Sequence, residues 1–590
     1  MKAHDDSERS KLIYKVAPTL LLVCASFVLV AWPPLAALME DGVQGAFKFF
    51  ANDSFYYLAI AQKSTSIGGL TFDGVHTTNG FHPLWAFYLH SIKSLVEMDQ
   101  EQLILFAGTS SLLLTATGTA FFSWALFRMT NRFAVALLAS VPGLFYLFMP
   151  HFGKEFAAQW NFANSMESPL SVFLFGGLLL FLTGVRQQQS AFRRQDLVLL
   201  SVLLSALVLT RLDDVFLLVP FGLYAFFSGG STRERTQRAL SCLVIPTLTL
   251  SAYLLFNQVY SGHFLPISGM AKTDPGLASL RNSYATYTTL FPFLDFMRAI
   301  DMRVWKSEGW RIIQMLVPAL LAAFWLYRSR LSSSAGDYAL PRSPDQKVAV
   351  MCLASYVIMK SLYNFTMVGL WNQGNWYYVI SIMTSNLILA LFISEILDRA
   401  RSTQTETEQG TWSSRYASLF SGAAAILLVL LVVNSATDQK RNGKKHVQNY
   451  QFWIQRHEAQ SLINKHCQDC GIVSFDDGIV AFSLKDVSTM NGIGLALDPE
   501  ASNAYNHGEL LDLAWQRGHQ LLVTVNYRMA PNAYRRNEAL RAHLRRNTQL
   551  KGQSLDDWIF ELAFEVPGTD VNFIRFYPAP DRSRTAQRQG

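Results

Sequence analysis

The chain has 590 residues, 50% hydrophobic and 16% charged, with 13 Trp, 22 Tyr and 42 Phe. Soluble chains carry about a quarter charged residues, so this composition excludes a disordered chain, a coiled coil and a small disulfide scaffold, and points to a membrane protein. The formal net charge of +7 fits Lys and Arg gathered in cytoplasmic loops, where they set orientation, and is given no weight as a nucleic-acid signal.

The first apolar run, about 12–38, is longer than a signal-peptide core of about 7 to 15 residues and lacks a small-residue cleavage site. It is expected to be an uncleaved first span. Runs of spanning or near-spanning length follow at about 103–127, 133–150, 168–184, 196–210, 213–227, 239–260, 311–327, 347–370, 376–397 and 416–433. A helix needs about 20 residues to cross the hydrocarbon, so the two short runs flanking 210–214 are expected to tilt or to stop short of one face. Arg128/Arg132, Arg186/Arg193/Arg194, Arg233/Arg235/Arg238, Arg328/Arg330/Arg342 and Arg399/Arg401/Arg415 fall in alternate loops, which the positive-inside tendency places in the cytoplasm. The loops 39–81, 151–167, 210–214, 261–310 and 371–375, and the chain beyond 433, then face outward. This parity requires the run 83–96 to be a short or partly embedded helix. The basic cluster Lys440, Arg441, Lys444 and Lys445 opposes the assignment, one loop against five.

From about 439 to 590 the composition becomes that of a soluble domain. Helical stretches at 449–465, 508–517 and 537–546 alternate with β-rich pieces at 471–475, 520–526 and 571–577, a pattern of α/β or α+β type. The expected fold is a polytopic α-helical membrane protein of about eleven spans over 1–438, followed by a C-terminal soluble α/β domain over 439–590. Cys24, Cys242 and Cys352 lie in apolar runs, as small buried hydrophobes do. Cys467 and Cys470 lack the second pair a zinc site needs. In a periplasmic domain they are expected to form a local disulfide, which adds little global stability because the loop is short.

The densest polar cluster is the first outward loop, ANDSFYYLAIAQKSTSIGGLTFDGVHTTNGFHPLW from Ala51 to Trp85. Asp53 opens a short helix with Phe55, Leu58 and Ile60 set against Gln62 and Lys63, expected to lie along the membrane face. Gly68-Gly69 and Asp73-Gly74 are turn formers. His76, Thr77, Thr78, Asn79, Phe81, His82 and Trp85 combine hydrogen-bonding groups with aromatic faces, which suits a sugar. Asp53 is a candidate general base for an acceptor hydroxyl, with a helix N-cap as the structural alternative. His76 and His82 are candidate contacts to phosphate or hydroxyl, and Asn79 and Trp85 to substrate. No residue spacing here marks a metal site. A divalent cation held by Asp53 is the one cofactor considered.

The segment NDSFYYLAIAQ…GGLTFDG…TTNGFHPLW resembles the first periplasmic loop of bacterial GT-C glycosyltransferases, integral-membrane enzymes with polyprenyl-phosphate sugar donors. It is most similar to the branch holding the terminal arabinofuranosyltransferases and pilin-modifying enzymes. The resemblance implies transfer of a monosaccharide, arabinofuranose among the possibilities, to a periplasmic acceptor, either a protein such as pilin or a glycan. It also implies a bacterial inner-membrane location, membrane lipids as neighbours, and Asp53 as the catalytic acid. Many relatives have two adjacent acids where this chain has Asn52-Asp53, which weakens the case for a metal-bridged pair.

Further segments resemble the family in order. Asn164-Ser165-Met166-Glu167 is similar to its Gly-Met-Glu segment and implies Glu167 as a second acid at the substrate; the alternative is an acid favoured by a helix N-terminus. Arg211-Leu212-Asp213 stands where relatives have Arg-Pro-Asp, implying Arg211 on the donor phosphate and Asp213 near substrate. The alternative is an internal ion pair with Asp213 or Asp214, since such charges between apolar runs must reach water or one another. In 257–272, Lys272 would neutralise the departing phosphate, unless it snorkels beside headgroups; Arg281 is a weaker choice. In 371–378, Asn372 and Tyr377 are implied substrate contacts, with interface anchoring as the alternative. Asp476 or Asp477, and Asn491-Gly492, resemble elements of the relatives' soluble domain, where a β-turn serves equally. The rivals are a transporter or flippase of lipid-linked saccharides, which predicts broken helices near the midplane, a ligase of such saccharides, and a noncatalytic scaffold.

Overall fold

The computed structural model describes residues 31–64, 69–140, 160–187, 193–227, 230–272, 353–360, 375–402, 447–475, 478–525 and 553–580, with single positions between them. Most of 12–38, the expected spans 311–327 and 416–433, the expected helix 537–546, and Arg281, Asn372, Asp476 and Asp477 lie outside the described residues.

The principal helices before the soluble domain are α1 (Ser54–Lys63), α2 (Pro83–Leu95), α3 (Gln100–Thr130), α4 (Ser168–Gln187), α5 (Arg194–Thr210), α6 (Leu218–Phe227), α7 (Thr232–Ser261) and α8 (Val379–Ser402). Gln100–Thr130, Thr232–Ser261 and Trp376–Glu395 are long and apolar enough to cross a membrane, and Ser168–Gly184 is a shorter apolar helix. These coincide with four of the expected runs. With 13 residues, α2 measures about 20 Å at about 1.5 Å per residue, short of a hydrocarbon layer of about 30 Å. The region around 210–214 resolves into α5, a 3-10 turn over Leu212–Leu217, and the 10-residue α6.

The chain packs as two units interleaved in sequence. One comprises Met1–Glu40, Thr109–Ser251 and Asp274–Asn442; the other comprises Asp41–Gly108, Ala252–Thr273 and Gly443–Gly590. These units do not follow the expected boundary at 438/439, because residues 41–108 and 252–273 pack with the C-terminal segment.

In the helical unit, Leu126, Phe175, Leu204, Phe221, Met383 and Leu387 contribute to one buried core. Helices α3 and α4 approach backbone to backbone: a Cβ on Gly118 would sit 2.5 Å from the Phe173 amide nitrogen, and one on Gly176 would sit 2.2 Å from the Gly118 carbonyl oxygen. Lipid gives apolar side chains no reason to leave it, so membrane helices associate through such close packing of small residues. Ser201 Oγ, 2.9 and 3.0 Å from the carbonyls of Ser241 and Cys242, ties α5 to α7.

The second unit is α/β, as expected for the C-terminal domain. Its strands β1 (Gly471–Ser474), β2 (Thr489–Asn491), β3 (His519–Val525), β4 (Trp558–Glu565) and β5 (Val571–Pro578) form one sheet in the order β2-β1-β3-β5-β4. β1 pairs in parallel with β2 and β3, while β5 runs antiparallel to β3 and β4. β1 is buried throughout, as the centre of a parallel sheet requires. Helices α9 (Ile479–Ser483) and α10 (Pro499–His507) follow β1 and β2. Asp498 caps α10 by accepting from the amides of Glu500 and Ala501, with Pro499 in the first turn, a strong local start signal. Cys467 and Cys470 are disulfide-bonded.

Helix α1 does not lie as a surface helix. Ser54 through Ala61, and Lys63, are all buried, since Tyr56, Tyr57, Ala59 and Ala61 make the helix apolar on every side, and such a helix is a core element. Phe55 packs against Phe47, Phe50 and Phe482. Asn491 Nδ2 donates to Tyr56 Oη (3.2 Å), and Lys63 Nζ donates to the Val487 carbonyl (2.9 Å).

Candidate functional site

In the α/β unit, Asp53 immediately precedes α1 and is half-buried, and its carboxylate makes no capping bond to that helix. The N-cap alternative is therefore not what the structure adopts. The residues around it are clamped from the C-terminal domain: Asn449 Nδ2 donates to Asn52 Oδ1 at 2.8 Å. A buried helix thus fixes the backbone that carries the acid.

Farther along the loop, Asp73 Oδ1 accepts from the amides of Val75 (2.8 Å) and His76 (2.7 Å), and its Oδ2 lies 2.6 Å from His76 Nδ1. This local turn orients the imidazole. Asp498 lies close by, so that Asp73, His76 and Asp498 present potential ligand atoms within 4.8 Å of one another. Both oxygens of Asp498 are also held by Arg517 (2.6 and 3.0 Å). Burial alone would raise the Asp498 pKa, but these bonds and the guanidinium charge bring it below its ordinary value. A cation at this triad would compete with Arg517.

Asn79 is fully buried. Its Nδ2 donates to Ser261 Oγ (2.8 Å) and its Oδ1 accepts from the Ile267 amide (3.1 Å), so it fastens the loop to the stretch after α7. Trp85 is also fully buried and stacks on Tyr88 at 5.3 Å. His82 precedes the Pro that starts α2, and its amide donates to Tyr57 Oη at 3.4 Å. Lys272 ends the short helix Ile267–Lys272 and is half-buried.

In the helical unit, four candidates separated in sequence come together. The Arg211 guanidinium, 2% exposed, donates to Glu167 Oε1 and, through Nε at 3.1 Å and Nη2 at 3.4 Å, to Asp213. It also stacks over the Tyr377 ring at 4.3 Å. Beside it, Lys360 Nζ pairs with Asp214 Oδ1 and lies 3.5 Å from Asp213 Oδ2, while Tyr356 Oη donates to Asp214 Oδ1 at 2.7 Å. The ion pair considered for Arg211 is thus present, extended to Glu167. A phosphate could reach this guanidinium only by displacing carboxylates. Lys360 and Tyr356 were missed because they lie within the run 347–370, taken whole as a span. A lysine inside such a run is itself the signal, since it is costly unless paired.

The α/β unit carries its own titration test. Burial lowers the His519 pKa to about 4 from 6.5, partly opposed by Asp73. The unfolded chain binds this proton first as pH falls, so stability is lost from pH 6.5 down to 4, by about 3 kcal/mol at about 1.36 kcal/mol per unit. Lys63, lowered by burial to about 8, works the same way in the alkaline range, where stability rises between pH 8 and 10.5. Thermal unfolding against pH should show the acid slope in wild type and a flatter one in His519→Gln; equal slopes would contradict the assignment.

No family model and no curated protein matches the chain. Among solved structures, ArnT from Cupriavidus metallidurans bound to undecaprenyl phosphate is similar at 11% identity over 96% of this chain and 98% of that chain, with a TM-score of 0.44.

Proposed function

We propose that the chain is an integral-membrane GT-C type glycosyltransferase that moves a monosaccharide from a polyprenyl-phosphate donor to an acceptor hydroxyl. The observation that carries this is Asp53, a half-buried carboxylate that does not cap the buried helix it begins. In the proposed step Asp53 accepts the proton of the acceptor hydroxyl. The acceptor oxygen bonds to the anomeric carbon while the bond from that carbon to the phosphate oxygen breaks. Polyprenyl phosphate leaves, and Lys272 neutralises the charge it gains. His76 and His82 supply further donors to phosphate or sugar. Arg211, Glu167, Asp213 and Tyr377 form one preformed charged cluster within the helical unit, whose carboxylates limit how much phosphate charge Arg211 takes. The acceptor is a periplasmic protein or glycan, the C-terminal domain stands in the periplasm, and arabinofuranose is one candidate sugar. A divalent cation at Asp53 remains part of the proposal only as an optional group.

The test is to incubate purified protein in detergent with a panel of polyprenyl-phosphate sugars and follow release of free polyprenyl phosphate. Release names the sugar. The second reading, a transporter or flippase, is favoured by the buried charges at Arg211 and Lys360, because intramembrane ionisable groups often mark transport paths. It predicts donor binding without release, with or without acceptor.

A further inference from the structure

A groove between α5 and α7, in the helical unit, has a volume of about 790 Å³ and apolar walls that include Leu197, Val198, Leu240, Val244 and Ile245. These walls face outward: Val198, Leu240 and Val244 are 52%, 58% and 48% exposed. Only 17% of the apolar stretch of α7 is buried, so in a membrane this surface meets acyl chains.

One end of the groove has the opposite character. Arg194 and Arg233 line it and are exposed, and among the described residues neither meets a carboxylate or a carbonyl. The neighbouring acids are already engaged. Asp196 Oδ2 accepts from the Arg193 amide at 2.9 Å, and Glu234 Oε2 accepts from the Ser231 amide at 3.0 Å and faces Arg238 at 3.8 Å. Arg235 is turned to the Gly230 carbonyl at 2.9 Å. Both helices start at this end, α5 at Arg194 and α7 at Thr232. Two positive helix ends therefore add to two unpaired guanidinium groups, an arrangement that attracts phosphate.

We propose that this groove binds an anionic phospholipid, its phosphate held by Arg194 and Arg233 and one acyl chain laid along Leu197, Val198, Leu240 and Val244. Free phosphate would satisfy the arginines and leave the apolar wall unused. A zwitterionic lipid would fill the wall but offer no net charge to the arginines. The arginines belong to loops that the positive-inside tendency places in the cytoplasm, so the site serves the leaflet opposite the proposed glycosyl transfer and does not depend on that reaction.

Native mass spectrometry of the full chain in detergent, titrated with phosphatidylglycerol or with phosphatidylcholine of identical chains, tests this. The wild type should bind phosphatidylglycerol at least about tenfold more tightly. Arg194→Gln and Arg233→Gln should each weaken it about fivefold, the effect of about one basic residue at a membrane surface, and leave phosphatidylcholine unchanged. Val198→Trp, which fills the groove, should weaken both lipids. Arg128→Gln, at a basic residue stacked on Trp124, should change neither. Equal affinity for the two lipids in the wild type, an unaltered Arg194→Gln/Arg233→Gln variant, or full displacement of the lipid by millimolar inorganic phosphate would overturn the proposal.

Discussion

Lys360→Met is expected to destabilise the helical unit by about 3–5 kcal/mol, the range for removing one partner of a buried ion pair. Asp214 is fully buried, and Lys360 and Tyr356 are the groups that meet its Oδ1. Its Oδ2 has no hydrogen-bond partner among the described residues. The cluster holds two cations, Arg211 and Lys360, against three carboxylates, Glu167, Asp213 and Asp214. It already carries one formal charge of excess, so loss of the ammonium leaves carboxylates facing one another with little solvent to screen them. The companion variant Lys360→Met/Asp214→Asn removes the orphaned charge and should recover more than half of the loss, a coupling that independent sites do not show. Thermal unfolding in detergent measures both. A single variant within about 0.5 kcal/mol of wild type, the range of surface substitutions that touch no such feature, would mean that the pair is not formed.

Gly478→Ala is the second substitution with a large expected effect. Gly478 has φ +97°, and an added Cβ would lie 2.7 Å from the Tyr56 amide nitrogen and 2.9 Å from the Phe55 carbonyl carbon. Both neighbours are backbone of α1, which cannot turn aside as a side chain can. Strain in a left-handed conformation costs about 1–3 kcal/mol and overpacking a further 1–3 kcal/mol, so a loss of about 2–5 kcal/mol is expected. Because the clash falls between α9 and α1, Gly478→Ala should also release the first loop to limited proteolysis between residues 64 and 83. An alanine variant with wild-type melting and cleavage would contradict the docking of α1 onto the C-terminal domain.

Much of this was legible where the signal is local. Apolar length located α3, α7 and α8, and Asp73-Gly74 marked a turn within the first loop. The parallel strands β1 and β3 stood out as short β-branched runs. What escaped depended on distant partners or on a broken pattern. The pairing of α1 with Phe482 and Asn491 joins segments more than 400 residues apart, and the five residues that make α1 look amphipathic hid the tyrosines on its other face. β4 was passed over because its register shifts between Leu562 and Phe564, a bulge that breaks the period-2 alternation by which strands are recognised. Among the candidate residues, Asp53, His76 and Glu167 stood out from their surroundings in sequence. Asp498 and Lys360 were not, since the fold alone places them beside Asp73 and Asp214.

The most direct measurement is donor turnover by wild type and Asp53→Asn, with free polyprenyl phosphate as the readout and donor binding measured in parallel. The account predicts that the wild type releases polyprenyl phosphate from at least one sugar donor in the presence of an acceptor. Asp53→Asn should bind that donor equally and release it about 10²–10⁴-fold more slowly, the contribution of a positioned general base. Release by Asp53→Asn at the wild-type rate would contradict the assignment of Asp53. Binding by both proteins with release by neither, across the whole donor and acceptor panel, would contradict the glycosyltransferase itself.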